Sequence, residues 1–180
     1  MIIKFYKGEI KDIFKAWLAI SLVFAFANGF TYKVLLFSAI AVGSAFIIHE
    51  LSHKFIAQKY GLLAYFKSFD NLLIFSIIIS LFGLIFIAPG AVMIRGYDKI
   101  RTGRIAAAGP LSNFILGTFF LVLSLFFYPT FFSLAGRINA FLGLFNMIPL
   151  FMLDGKKIIN WNKNIFYFML IYGLILFVLV

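Results

Sequence analysis

The sequence predicts an all-α polytopic membrane protein with about five transmembrane helices and one re-entrant helix/strand segment at about 72–94. Three observations carry that expectation. Of the 180 residues, 64% are hydrophobic and only 12% charged, against roughly 25% charged in a soluble domain. Mean hydropathy is +1.08. Long apolar runs recur along the chain, at or near the length that crosses a bilayer. The length suits one domain over residues 1–180, with no room for a second soluble module.

Each element follows from local pattern. Met1 to Lys15 alternates apolar and basic residues and reads as an interfacial strand or short amphipathic element. Residues 13–30 form the first span. They resemble a signal peptide, but the preceding region is long and carries Glu9 and Asp12, so the segment reads as a retained helix. Asn28-Gly29 makes a turn, and 34–60 is the second span, with Gly43, Ser44 and Ala45 as a small-residue patch that admits a neighbouring helix. Leu72 to Ala88 is apolar and meets Pro89-Gly90, followed by the short run Ala91 to Ile94. Residues 105–128 form a span opened by Gly109-Pro110. Residues 131–153 form a less regular one, with Arg137 inside and Pro149 near its end. Residues 164–180 close the series at about 25 Å, barely a crossing.

The net charge of +10 does not point to nucleic acid. Lys and Arg flank the apolar runs rather than forming a water-facing basic surface, so they read as anchors to anionic lipid headgroups. The chain has no cysteine, which excludes disulfides and thiolate metal sites.

The chemistry is concentrated in His49-Glu50-Leu51-Ser52-His53. The residues before it, Val34 to Ile48, carry no charge. H-E-x-x-H on a helix sets two imidazoles on one face, able to share one zinc ion, with the glutamate rotated towards the attacking water. These are the only two histidines, and Glu50 is one of only two glutamates. Catalytic zinc takes three protein ligands and one open position. With no cysteine and no third histidine, the third ligand must be a carboxylate. Glu9 and Asp12 stand amid lysines before the first span, and Asp70 and Asp98 lie in polar connections. Asp154 closes the apolar run Phe145 to Leu153 and precedes a glycine. It is the favoured candidate, the alternative being a helix-end carboxylate paired with Lys156 or Lys157.

Three separated motifs carry a family resemblance. His49-Glu50-Leu51-Ser52-His53, Gly109-Pro110-Leu111-Ser112-Asn113, and Asn146-Met147-Ile148-Pro149 continuing to Asp154-Gly155 occur in the order of the site-2 protease family. The chain resembles a minimal prokaryotic or archaeal member of these intramembrane zinc metalloproteases. It covers their core from about 34 to 155 and has no PDZ or CBS module. The resemblance implies zinc ligands His49, His53 and Asp154, with Glu50 as the base. It makes Gly109, Pro110, Pro149 and Gly155 structural motif residues. Asn113 and Asn146 are candidates to hold unwound substrate backbone or the oxyanion, their alternative being hydrogen bonding between helices. The implied substrate is a transmembrane protein, cleaved within or near its membrane segment.

Topology tests that reading. His53 and Asp154 must meet, so the chain between them must cross the membrane an even number of times. Spans 105–128 and 131–153 supply two crossings. Residues 72–94 must therefore enter and leave on one side, where the returning strand could offer an edge to an extended substrate. Lysines before the first span favour an inside N-terminus, placing the site of this multi-pass cell-membrane protein near the cytoplasmic side. The competing reading is a non-proteolytic membrane zinc protein, either a transporter or an inactive scaffold. A transporter calls for several ionisable groups deep in the bilayer, whereas this chain has one compact set.

Overall fold

The computed structural model describes residues 3–85, 89–96, 98–150 and 153–180. Helix α1 spans Glu9–Ala27. A continuous helix over Tyr32–Lys59 consists of α2 (Tyr32–Phe37), a π-helical stretch (Ser38–Gly43) and α3 (Ser44–Lys59). Strand β1 (Leu63–Ser68), helix α4 (Asp70–Ser80) and strand β2 (Gly90–Arg95) follow. Helices α5 (Lys99–Ser124), α6 (Pro129–Met147), α7 (Asp154–Trp161) and α8 (Lys163–Leu179) complete the order.

Side-chain contacts fix the helix directions. Trp17 of α1 donates its indole N–H to Ala39 O in the π-helical stretch, while Glu9, at the start of α1, pairs with Lys54 near the end of α3. The two helices are therefore antiparallel. A π turn widens the helix and leaves a carbonyl for an outside donor; here the Trp17 indole takes it, packed against Gly43, where a Cβ would come within 2.5 Å of Trp17 Cδ1. Helix α5 runs back along α3, from Arg104 beside Tyr60 to Asn113 beside Ala45. Helix α6 then reverses along α5, with Phe120 against Phe132 and Gly143 against Phe114. Small residues let these backbones approach, as at Gly117 and Gly136. Helix α8 runs with α5, and the Val180 carbonyl ends beside Arg137.

Helices α2, α5 and α8 start with side-chain caps: Thr31 to Val34 N–H, Asp98 to Ile100 and Arg101 N–H, and Asn162 to Asn164 and Ile165 N–H. The amides of Arg101 and Ile100 hold the Asp98 carboxyl below the usual carboxylate range.

Strands β1 and β2 pair antiparallel, from Leu63 opposite Arg95 to Ser68 opposite Gly90. The chain from 69 to 89 thus leaves and returns at adjacent backbone positions. The strand pair itself is an addition to the all-α expectation: residues 63–68 alternate buried and half-buried side chains, a period of two inside a segment read as a polar connection. Residues 86–88 of the expected re-entrant segment and 151–152 of the expected fourth span lie outside the described residues.

Five transmembrane helices are expected, and two of them are matched by helices of spanning length and composition. Among the described residues, two helices are long and apolar enough to cross a membrane, Tyr32–Lys59 and Ile100–Ser124. Helix α1 starts at Glu9 rather than 13 and so takes in Glu9, Lys11 and Asp12. Helix α6 stops at Met147, its hydropathy diluted by Arg137, Asn139 and Asn146, and α8 has 17 residues. The N-terminal segment is tied to α3. Lys4 exchanges hydrogen bonds with Gln58 on α3 through both its N–H and its carbonyl.

Alanine makes up much of the interior, beside larger side chains such as Phe66, Phe114, Met147 and Ile158. Ala16, Ala25, Ala41, Ala45, Ala57, Ala64 and Ala140 are fully buried, whereas Ile74, Phe82, Ile115, Phe168, Ile171 and Val178 are more than half exposed. Hydroxyls along the helices bond back to carbonyls of the preceding turn, as Ser21 to Trp17, Ser76 to Leu72 and Thr118 to Phe114. Among the described residues, no buried side-chain nitrogen or oxygen lacks a partner.

Candidate metal centre

The site lies at one end of the bundle, where α3 ends, α5 begins and α6 gives way to α7. His49 and His53 stand one turn apart on α3, their Nε2 atoms 3.0 Å from each other. Asp154 Oδ2 lies 3.3 Å from His49 Nε2 and 3.0 Å from His53 Nε2. All three residues are buried. Their ring orientations are set from behind. His49 Nδ1 is 2.6 Å from Asn113 Oδ1, and His53 Nδ1 is 2.7 Å from the Ile105 carbonyl. Both partners are acceptors, so each Nδ1 carries the proton and each Nε2 presents a lone pair.

Two lone pairs and a carboxylate oxygen therefore converge on one point, an arrangement that calls for a cation. The spacing matches zinc. Bonds of about 2.0–2.1 Å in a tetrahedral site put ligand atoms roughly 3.3 Å apart. The space is kept clear by Gly109 of α5. A Cβ there would sit 2.5 Å from His49 Nε2 and closer still to His53 Nε2.

The carboxylate arrives by a sharp turn. Pro149 cannot continue a helix and biases the residue before it to extended backbone; Ile148 has ψ 125° and α6 stops at Met147. Asp154 then opens α7. Gly155 permits this junction, because a Cβ would collide with the Met147 carbonyl. Lys157 Nζ lies 3.6 Å from Asp154 Oδ1, so the lysine pairing weighed from sequence is present at the second oxygen while Oδ2 faces the imidazoles.

Glu50 is rotated about 100° from His49 around α3. Its Oε2 accepts the Val92 N–H of β2 at 3.0 Å. Asn113 is fully buried. Its Nδ2 hydrogens go to Ala45 O at 3.2 Å and Asn139 Oδ1 at 3.3 Å, leaving no donor for an oxyanion. The interhelical alternative describes it. Asn146 is half-buried and donates to Leu142 O within its own helix. Pro110 interrupts the α5 ladder at Ala106, next to the carbonyl that His53 uses.

Sequence reasoning did not find Asn139, which carries Asn113, nor the Ile105 carbonyl. Asn139 was visible as an amide in an apolar run. A backbone acceptor leaves no sequence signal.

The chain is 42% identical over 172 residues to a protein of Methanocaldococcus jannaschii named as a candidate zinc metalloprotease, covering 91% of this chain and 90% of that one. The chain belongs to this zinc metalloprotease family. A second protein of the same archaeon, named a zinc metalloprotease, is 30% identical over 158 residues, covering 84% of this chain and 41% of its own length. A candidate zinc metalloprotease of Bacillus subtilis is 32% identical over 142 residues, 64% of each chain. No protein-family model and no solved structure matches the chain. Membership is consistent with the minimal site-2 protease-like type suggested by the three motifs. Zinc is accordingly the metalloprotease's cofactor, and the His49, His53 and Asp154 group could hold it.

Proposed function

We propose that this protein is an intramembrane zinc metalloprotease of the site-2 type, hydrolysing peptide bonds within or near transmembrane segments of membrane-protein substrates. The observation that carries the reading is the buried convergence of His49, His53 and Asp154, drawn from segments about a hundred residues apart, with Glu50 on the same helix turn. These three side chains are the metal ligands and Glu50 is the base. Zinc, when bound, supplies Lewis acidity that brings the ionisation of water close to neutral pH.

Glu50 takes a proton from the attacking water and returns it to the leaving amine. Asn113 and Ile105 O hold the imidazoles in the tautomer that presents Nε2. A substrate helix must unwind to expose its carbonyl. The outer edge of β2, where Val92 N–H points away from β1, suits an extended segment laid beside Glu50.

Membrane residence is supported by the inverted packing, with alanine inside and phenylalanine, leucine and isoleucine outside. It is supported too by the two long apolar helices and the internally satisfied hydroxyls. Apart from Lys33 and Arg137, the basic residues lie on the half of the bundle that carries the site. By the positive-inside rule that half faces the cytoplasm and anionic headgroups.

The test is cleavage of a model transmembrane substrate by purified protein, with Glu50→Gln as control. The variant is expected to keep one zinc per chain and to lose cleavage by roughly 10²–10⁴-fold, the usual scale of a general base. Undiminished cleavage by zinc-loaded Glu50→Gln refutes the base assignment. Absence of cleavage by the zinc-loaded wild-type protein favours a non-proteolytic zinc protein.

A further inference from the structure

The chain has two glutamates, and the fold sets them on opposite edges of one strand pair. Phe66 of β1 and Val92 of β2 face each other in register. Neither uses its N–H within the pair. Phe66 N–H donates to Glu9 Oε1 at 2.8 Å, and Val92 N–H donates to Glu50 Oε2 at 3.0 Å. In an antiparallel pair, alternate opposed residues direct their backbone groups outward. This rung is thus held between two carboxylates.

Glu9 is only 3% exposed. Its Oε1 also takes the Lys54 ammonium at 2.5 Å, and its Oε2 takes the Tyr6 N–H at 3.0 Å. Lys54 follows His53 on α3, is completely buried, and lies 3.9 Å from the Phe5 ring centroid. One carboxylate therefore joins the N-terminal segment, α1, the zinc helix and β1.

We propose that Glu9 is a positioning residue for Glu50: with Lys54 it pins the β1 edge of the strand pair to α3, so that the β2 edge presents Val92 N–H to the Glu50 carboxylate. The proposal rests on Glu50 being the base. Two features point to placement rather than to stability alone. A buried ion pair is a poor stabiliser, often matched or bettered by apolar side chains of the same volume. The bond also selects register: a one-residue slip of the strand pair would turn the Val92 N–H inward and leave Glu50 facing an occupied amide.

The experiment uses the full chain in bilayers and the double variant Glu9→Gln/Lys54→Met, which leaves no unpaired buried charge. It reads hydrogen exchange at Phe66 and Val92, zinc content, and kcat and KM on a model transmembrane substrate. The expected result is one zinc per chain, exchange at Val92 faster by about tenfold or more, and kcat lower by on the order of 100-fold, as for a base displaced by about 1 Å. KM should stay close to wild type. Wild-type exchange at Val92, or wild-type kcat in the zinc-loaded variant, overturns the proposal. So does loss of zinc together with cooperative melting, which marks a role confined to folding.

A second variant, Glu9→Asp, keeps the charge beside Lys54 and withdraws it by one methylene. It is expected to loosen Val92 in the same direction, and unchanged protection there also counts against the proposal. Glu50→Gln in the wild-type background separates the two readings, because its undiminished cleavage removes the base assignment while Val92 exchange still reports the pinning.

Discussion

Gly109→Ala is the sharpest test of the metal centre, because it adds one methyl at the point where the ligand atoms converge. The Cβ would lie 2.5 Å from His49 Nε2 and from His53 Cε1, whereas ordinary contact begins at 3.4 Å. The imidazoles must therefore retreat by about 0.9 Å, while a working zinc site holds its ligand distances within about 0.2 Å. Overpacking of this kind costs about 1–3 kcal/mol. Falling on the ligands, it weakens zinc binding by about 10- to 100-fold. Metal-free protein should respond differently. With the rings free to swing away, Ala replaces Gly inside a helix, a change worth up to about 1 kcal/mol in favour of the fold. The assay is a zinc titration against a competing chelator, beside thermal melts with and without metal. The expected result is weaker binding with an unchanged or higher metal-free melting temperature. Wild-type zinc affinity in Gly109→Ala would refute the reasoning, since the methyl and the ion could not then share that space.

Two further outcomes follow from the same geometry. Asn113→Ala removes the acceptor behind His49 Nδ1 and two interhelical bonds; zinc affinity should fall by about 10- to 100-fold, and a titration showing no change would deny it a role behind the ligand. In a chain with no native cysteine, Arg95→Cys in inside-out vesicles should react with an impermeant thiol reagent, and Lys33→Cys in intact cells; the reverse pattern would place the site on the outer side.

The metal site was legible because its residues are rare here. Two histidines in a chain of 180, four apart, leave little freedom, and the absence of cysteine forces a carboxylate. Asp154 followed from its position at the end of an apolar run, and Pro149 with Gly155 marked the turn that delivers it. The strand pair was harder to read. Leu63 to Ser68 is short, and the four consecutive apolar residues Leu63 to Phe66 hide its alternation, so its pairing with 90–95 depends on contacts distant in sequence. Glu9, with lysines at 7, 11 and 15, gives no sequence signal of its burial, and only the folded chain brings Lys54 and the Phe66 amide to it. Helix ends shifted because hydropathy marks where a segment is apolar, whereas caps such as Asp98 and Asn162 decide where the backbone turns.

The arrangement also bears on how water-dependent chemistry can proceed beside lipid. Under the proposed intramembrane reading, His53 and Asp154 meet only if α5 and α6 go out and back and the chain between the two strands makes no net crossing; the Ser68–Gly90 rung brings its two ends together. The same condition keeps the site at one end of the bundle, among the ends of α3 and α6 and the starts of α1, α5 and α7. The element that borders the site is β2, whose Val92 N–H is held by Glu50. Under the proposed function, the Val92–Glu50 bond therefore sets the base in place before substrate arrives, and an extended segment must use the other outward-directed backbone groups of β2.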